Sequence, residues 1–304
     1  MTVEREEVGQ AFRCGFVSIV GRPNVGKSTL LNQILGQKIA ITANKPQTTR
    51  NRILGIHTTN VAQTLFLDTP GIHKPSGKLN RYMVEQALSA CRGVDLVLLL
   101  VEAHDSLGGG DDFILDVLAQ GSIPVMLVIN KIDQVEKEKL LPLIEAYAQR
   151  FSFAQIVPIS ARDGNGVQRL LQEVERCLPA GQPLYPEDMV TDLPERFIVA
   201  EMIREKILRR TQQEVPYGVA VQVEQFEERS GGDLVSIQAV IYVTREAHKR
   251  ILVGKGGSMI RQLGTDARHE IERLLDAKVY LELFVKVKKN WIDSDRFLRE
   301  FGYE

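Results

Sequence analysis

Between residues 16 and 178 the chain repeats one alternation, a short apolar run rich in β-branched residues followed by a stretch whose apolar positions recur at helical spacing. FVSIV leads into a helix from Lys27. The runs RILGIHT and AQTLFLDT precede a helix over 79–92, DLVLLLVEA one over 112–120, IPVMLVIN one over 137–150, and QIVPIS one over 166–178. This order predicts an α/β domain with a mostly parallel, doubly covered sheet. DLVLLLVEA and IPVMLVIN are almost continuously apolar, as expected of strands buried on both faces.

The alternation stops at PAGQPLYPEDMVTDLP, where four prolines in sixteen residues and no amphipathic period predict an extended linker. A helical pattern over 193–210 then ends in the basic cluster Arg204, Lys206, Arg209 and Arg210. VAVQVEQFEE and LVSIQAVIYVT alternate as strands and flank RSGGD, a hairpin turn. A short helix over 245–252, the loop GKGG, a longer helix over 258–275 and a strand over 278–286 complete an α-β-β-α-α-β order. The expected division is a first domain over 1–180, a linker over 181–194 and a second domain over 195–304.

Composition fits two ordinary globular domains, with 304 residues of which 44% are hydrophobic. No apolar run approaches the roughly 18 residues of a membrane span, and Glu4, Glu6 and Glu7 stand where a secretory signal needs positive charge. A cytoplasmic protein is expected. Cys14, Cys91 and Cys177 lack metal-ligand or disulfide spacing, as do the five histidines. Net charge is −1, but it is unevenly spread: residues 181–244 hold 6 basic against 11 acidic residues, and 245–289 hold 11 against 6. The positive excess surrounds GKGG.

IVGRPNVGKSTLL, between a strand and a helix, satisfies GxxxxGK[ST]. The loop runs from Gly21 through Arg22, Pro23, Asn24, Val25, Gly26, Lys27 and Ser28 to Thr29. Glycines let successive N–H groups point at phosphate oxygens, Lys27 adds charge at the outer phosphates, and the Ser28 hydroxyl suits Mg²⁺. Asp68, Thr69, Pro70 and Gly71 follow a strand, where the carboxylate can hold Mg²⁺ through water and the glycine N–H can meet the terminal phosphate. Asn130, Lys131, Ile132 and Asp133 end another strand, at the edge where open α/β sheets bind ligands. A carboxylate there accepts two hydrogen bonds from guanine that adenine does not offer, which favours GTP over ATP. That preference, with no acceptor site in view, opposes an ATP-using small-molecule kinase.

With Ser160 and Ala161 after the next strand, this series resembles the translation-factor class of P-loop GTPases over residues 15–180. The resemblance implies that the Ala161 N–H meets the guanine carbonyl. It also implies that a threonine of PQTTR joins Ser28 and Asp68 on Mg²⁺; Thr49 is placed in that set, although spacing does not choose between it and Thr48. Ile72 stands where signalling GTPases carry a water-orienting glutamine. GTPases with an apolar residue there include several that hold K⁺ with an asparagine of the phosphate loop, a slot filled by Asn24. The residues expected to carry catalysis are Lys27, Asn24, Thr49 and Gly71, with slow intrinsic hydrolysis faster in K⁺ than in Na⁺.

GKGG joins helix to helix and lacks the lysine-hydroxyl pair, so it is not a second nucleotide loop. Helix, GxxG, helix, strand, with Ile251 before and Met259 and Ile260 after, resembles a KH domain, which clamps about four unpaired nucleotides at GxxG. The expected RNA contacts are Ile251, Gly254, Lys255, Gly256, Gly257, Met259, Ile260, Arg261, Arg268, Lys286, Lys288 and Lys289.

GTPase and KH domains in one chain, with QTTRNRILGI, DTPGIHKP and a terminal NW…L..FGY, resemble the Era family of bacterial GTPases over essentially the whole length. The resemblance implies a ribosome-assembly factor for the 30S subunit, with GTP and GDP as ligands. It further implies binding to the single-stranded 3′ end of 16S ribosomal RNA and a peripheral association with the inner membrane. GTP with Mg²⁺ is expected to order the segments around Thr48, Thr49 and Asp68, and the KH domain to reorient when hydrolysis releases them. The rival expectation is a GTP-regulated RNA-binding module whose hydrolysis is incidental.

Overall fold

A computed structural model describes residues 11–72, 77–228 and 234–303. The acidic residues Glu4, Glu6 and Glu7, the HKP of DTPGIHKP and the RSGGD turn lie outside the described residues.

The N-terminal unit is built from β1 (Arg13–Gly21), α1 (Lys27–Leu35), β2 (Ile53–Thr58), β3 (Ala62–Asp68), α2 (Lys78–Ser89), β4 (Leu96–Glu102), α3 (Gly109–Leu118), β5 (Val125–Asn130), α4 (Leu140–Arg150), β6 (Gln155–Pro158) and α5 (Val167–Cys177). The sheet runs β2-β3-β1-β4-β5-β6. Every pairing is parallel except β2 with β3. Every residue of β4 and β5 is buried, as their apolar continuity requires of strands covered on both faces. Residues 137–139 form a 3-10 turn, and α4 starts only at Leu140, with Pro142 in its first turn, where a missing N–H costs nothing.

The C-terminal unit contains α6 (Glu195–Arg210), β7 (Val219–Glu228), β8 (Leu234–Val243), α7 (Glu246–Val253), α8 (Ser258–Leu275), β9 (Lys278–Val287) and α9 (Asp295–Glu300). β8 pairs antiparallel with β7 and parallel with β9. Period-2 alternation sorts the sheet faces. Val235, Ile237, Ala239, Ile241 and Val243 pack with Ile203 of α6, Leu252 of α7 and Leu263 and Ile271 of α8. Val240 and Tyr242 face the other way, onto Trp291, Leu298 and Tyr303 of the terminal segment and onto Leu79 and Met83 of α2. Among the described residues no helix is long and apolar enough to cross a membrane.

The proline-rich stretch is extended, as composition predicts, but it is stitched to the first sheet. Cys14 N–H donates to Pro179 O (3.1 Å), Leu184 N–H to Gln63 Oε1 (2.7 Å) and Ile56 N–H to Val190 O (2.8 Å). Thr191 Oγ1 donates to Leu54 O (2.6 Å). The basic cluster closing α6 is likewise committed internally. Arg204 pairs with Glu201, Lys206 with Glu205 and Glu270, Arg209 with Glu205, and Arg210 with Asp266.

Candidate functional site

The C-terminal ends of β1, β3 and β5 open on a cavity of about 660 Å³. Its floor is the turn between β1 and α1, where Gly26 adopts φ 101°, a left-handed conformation that a side chain would strain. Pro23, Asn24, Gly26, Lys27, Ser28 and Thr29 line it at this end, and Asn130, Lys131, Asp133 and Ala161 at the other. Gly71 closes over the loop so tightly that a Cβ there would lie 2.6 Å from Pro23 N.

Lys27 folds back on its own loop, donating to Gly21 O (3.2 Å) and Arg22 O (2.9 Å). Burial lowers its pKa to about 8, against the pull of Asp68. Ser28 Oγ lies 2.7 Å from Thr49 Oγ1 and 2.6 Å from Asp68 Oδ2, and Thr49 Oγ1 lies 3.5 Å from the same carboxylate. Burial pushes Asp68 up to about 6, opposed by Lys27, Ser28 and Thr49. Its Oδ1 is buried without a hydrogen-bond partner among the described residues. An orphaned carboxylate oxygen beside two hydroxyls is a donor set that suits a hard, oxygen-seeking cation such as Mg²⁺. Thr48 points elsewhere, its hydroxyl donating to Lys45 O at 2.7 Å. The geometry thus separates the two threonines that spacing left equal.

At the base end Ser160 Oγ donates to Asp133 Oδ1 (2.7 Å), and Arg162 reaches Asp133 Oδ2 (3.1 Å). Asn130 ties the two ends together, donating to Val25 O (2.8 Å) and accepting the Ala161 N–H at 2.9 Å. The Ala161 N–H expected to face a base carbonyl is therefore turned onto Asn130. Lys131, at φ 66°, extends along the wall and pairs with Glu102.

Other expected residues support the site from behind. Arg22 turns its side chain away, onto Asp105 and Asp111. Thr69 Oγ1 donates to Ile19 O (2.8 Å), Pro70 is buried, and Ile132 is half-buried against the apolar cluster. Ile72 is 2% exposed, packs in the apolar cluster and donates its N–H to Gly21 O (3.1 Å).

In the second unit GKGG makes a tight turn, with Gly256 at φ 57° and Gly257 at φ 79°. Lys255 and Gly256 project into solvent beside exposed Ile251, above half-buried Met259 and Ile260. Gly254 allows close packing; a Cβ there would lie 2.8 Å from Met259 N. Arg261, Arg268 and Lys289 are exposed. Lys286 and Lys288 depart from the expected track. Lys286 in β9 and Lys288 just after its end alternate with core-facing Val285 and Val287, which puts them on the opposite sheet face. Lys286 lies near Glu224, while Lys288 pairs with Glu300 (2.6 Å) and sits 4.2 Å from the Phe297 ring centroid.

Sequence reasoning missed how the second unit walls the first site. Ile41–Lys45, Gln47 and Thr48 line the cavity together with Leu208 and Arg209 of α6. The contact is dense in charge: Thr42 N–H donates to Glu205 Oε1 (2.9 Å), and Lys38 pairs with Glu205 (2.5 Å) and Glu270. Arg50 donates to Val219 O (2.7 Å) and Tyr217 O (2.9 Å) and lies 5.8 Å from the ring centroids of Trp291 and Tyr303. Arg204 and Glu205 of α6 are both buried, and nothing local in the sequence marks them off from the rest of a charged helix.

A P-loop at the edge of a mostly parallel sheet, followed by an α-β-β-α-α-β unit with GxxG between two helices, defines the class: a GTPase carrying a C-terminal KH domain. The family described as "50S ribosome-binding GTPase" matches residues 16–131, and "KH domain" matches 214–292. The chain is similar to GTPase Era of Geotalea uraniireducens, 60% identical over 96% of this chain and 98% of that one, and to GTPase Era of Geobacter metallireducens, 58% identical over the same shares. It also resembles the crystal structure of Era in complex with MgGDPNP and nucleotides 1506–1542 of 16S ribosomal RNA, with TM-score 0.93, 40% identity and coverage of 96% and 99%. A structure of an Aquifex aeolicus Era variant bound to GDP and aluminium fluoride matches equally well, with TM-score 0.93. The chain belongs to the Era GTPase family.

Proposed function

We propose that this GTPase is a 30S-assembly factor whose KH surface grips the single-stranded 3′ end of 16S ribosomal RNA under control of the bound nucleotide. The observation that carries the reading is one continuous path. The Ser28–Thr49–Asp68 cluster is joined through residues 42–50 to α6, and α6 packs beneath the sheet and helices that present GKGG. Its domains are the GTPase domain over 1–180, the stitched segment over 181–194 and the KH domain over 195–304.

In this reading Ser28, Thr49 and Asp68 hold Mg²⁺, which when bound neutralises charge on the outer phosphates. Lys27 and the Gly71 N–H face the terminal phosphate, and Asn24, at φ 67°, presents a carbonyl oxygen to K⁺. Asp133, oriented by Ser160, selects guanine. Ile72 is sealed in the apolar cluster, so no side chain at that position orients water and slow hydrolysis follows. Lys255 and exposed Gly256 meet a sugar-phosphate chain, and Arg261, Arg268 and Lys289 extend the positive track. The protein acts in the cytoplasm, and the family resemblance adds a peripheral contact with the inner membrane.

The test is the affinity of the purified protein for an oligonucleotide of the 16S 3′ end, measured nucleotide-free, with GDP and with a non-hydrolysable GTP analogue. Tighter binding with the analogue supports the reading, and three equal affinities defeat the coupling. RNA that accelerates single-turnover hydrolysis marks a timed factor. Unchanged hydrolysis favours the rival, a regulated RNA binder whose turnover is incidental.

A further inference from the structure

Residues 48–50 belong to no helix or strand, yet Thr49 is held in a defined place, within 2.7 Å of Ser28 Oγ. The restraint comes from the other domain. On one side the guanidinium of Arg204, 1% exposed, donates to the main-chain carbonyl of Thr48. Two hydrogen bonds that it donates to Glu201, at 2.7 and 2.5 Å, orient that guanidinium. On the other side Arg50, also 1% exposed, is plugged into the carbonyls of Tyr217 and Val219. Among the described residues Arg204 Nη1 and Arg50 Nε have no hydrogen-bond partner. The bonds that are made, to Thr48 O on one side and to Tyr217 O and Val219 O on the other, are therefore costly to give up and fix the segment between them wherever the two domains are docked.

We infer that Arg204 is a positioning residue for the GTPase reaction. From the KH domain it sets the main chain at Thr48 and thereby presents the Thr49 hydroxyl to the metal site. This rests on the reading of Thr49 as a Mg²⁺ ligand. It makes domain docking and completion of the metal shell one equilibrium, so each favours the other. Arg204 does not line the nucleotide cavity; it acts through Thr48.

The test is a Mg²⁺ titration of GTP hydrolysis in the full chain for wild type, Arg204→Gln, Thr49→Ala and the double variant. The expected result is a rise of roughly tenfold in the half-saturating Mg²⁺ concentration for Arg204→Gln, the worth of one charge-assisted bond. Fluorescent-GDP affinity without Mg²⁺ stays at the wild-type value, which a general loss of structure would not allow. The double variant matches Thr49→Ala, because both changes act on one hydroxyl. Arg204→Lys, which keeps the charge but loses the fork, falls between wild type and Arg204→Gln and gives the same reading if Arg204→Gln does not fold. If Thr49→Ala leaves the titration unmoved, the metal reading fails and the inference with it. If Thr49→Ala shifts it but neither Arg204 variant does, or the two effects add, the metal reading stands and the positioning role is overturned.

Discussion

The Ser160 hydroxyl donates to Asp133 Oδ1 at 2.7 Å, so the carboxylate at the mouth of β5 is oriented from the end of β6, before any base arrives. Asp133→Asn removes the double acceptor that guanine requires and offers a donor in its place. GTP affinity should fall by roughly 100-fold while affinity for xanthosine triphosphate rises, as competition with a fluorescent nucleotide would show. Unchanged preference would place base selection elsewhere.

Gly71→Ala should separate binding from turnover. Its Cβ would meet Pro23 N, Cα and Cγ at 2.6–2.7 Å, so the loop after β3 must retreat from the phosphate loop. If the Gly71 N–H meets the terminal phosphate, as proposed, GDP affinity should stay within about threefold of wild type and hydrolysis should slow by roughly tenfold. Single-turnover rates and GDP titrations read the two separately.

Asn24 sits at the phosphate loop in a left-handed conformation that asparagine tolerates better than most residues, which alone would account for it. The K⁺ proposal makes a sharper demand. Hydrolysis should run faster in K⁺ than in Na⁺ at equal ionic strength, and Asn24→Asp, which keeps the backbone preference, should change that ratio. Equal rates in both salts would leave Asn24 as a turn residue.

How far these features could be read from the sequence depended on range. Gly21, Lys27, Asp68 and Asp133 lie in motifs of a few residues, and the apolar runs around them fix which sheet edge they share, so the pocket was legible. Arg204 and Thr48 are separated by 156 positions, and nothing local distinguishes an arginine bound for a buried carbonyl from one on a solvated helix face. For that reason the end of α6 read only as a basic cluster, with no partner assigned. The same limit applies to Lys288, whose partners Glu300 and Phe297 become visible only when the terminal segment folds back under β8 and β9. The choice between Thr48 and Thr49 turned on backbone direction, which composition does not carry.

Arg50→Met should destabilise the protein by about 3 kcal/mol, since it strands the carbonyls of Tyr217 and Val219 in a buried site. Urea unfolding followed by Trp291 fluorescence is a direct probe, because that ring lies 5.8 Å from the guanidinium. A loss no larger than that of a surface substitution would show that the docked interface adds little.

Burial on β2 pushes the His57 imidazole below its ordinary 6.5, against a smaller upward pull from Glu175. The unfolded chain therefore takes up the proton first. Stability from this group is whole above 6.5 and is lost as pH falls through the depressed value. The melting temperature should drop between about pH 7.5 and about pH 5.5, and His57→Gln should flatten part of that drop. An unchanged slope would assign the acid sensitivity to other groups, His248 among them.

The stitched stretch before α6 has a mechanical consequence. Its last bond to the first sheet is at Thr191, and α6 starts at Glu195, so only three residues separate two anchored bodies. The covalent connection therefore works as a hinge pin and not as a leash. Any rotation between the domains must bend near Leu193 and Pro194, so that a KH domain released from the α6 contacts would sweep an arc instead of drifting free.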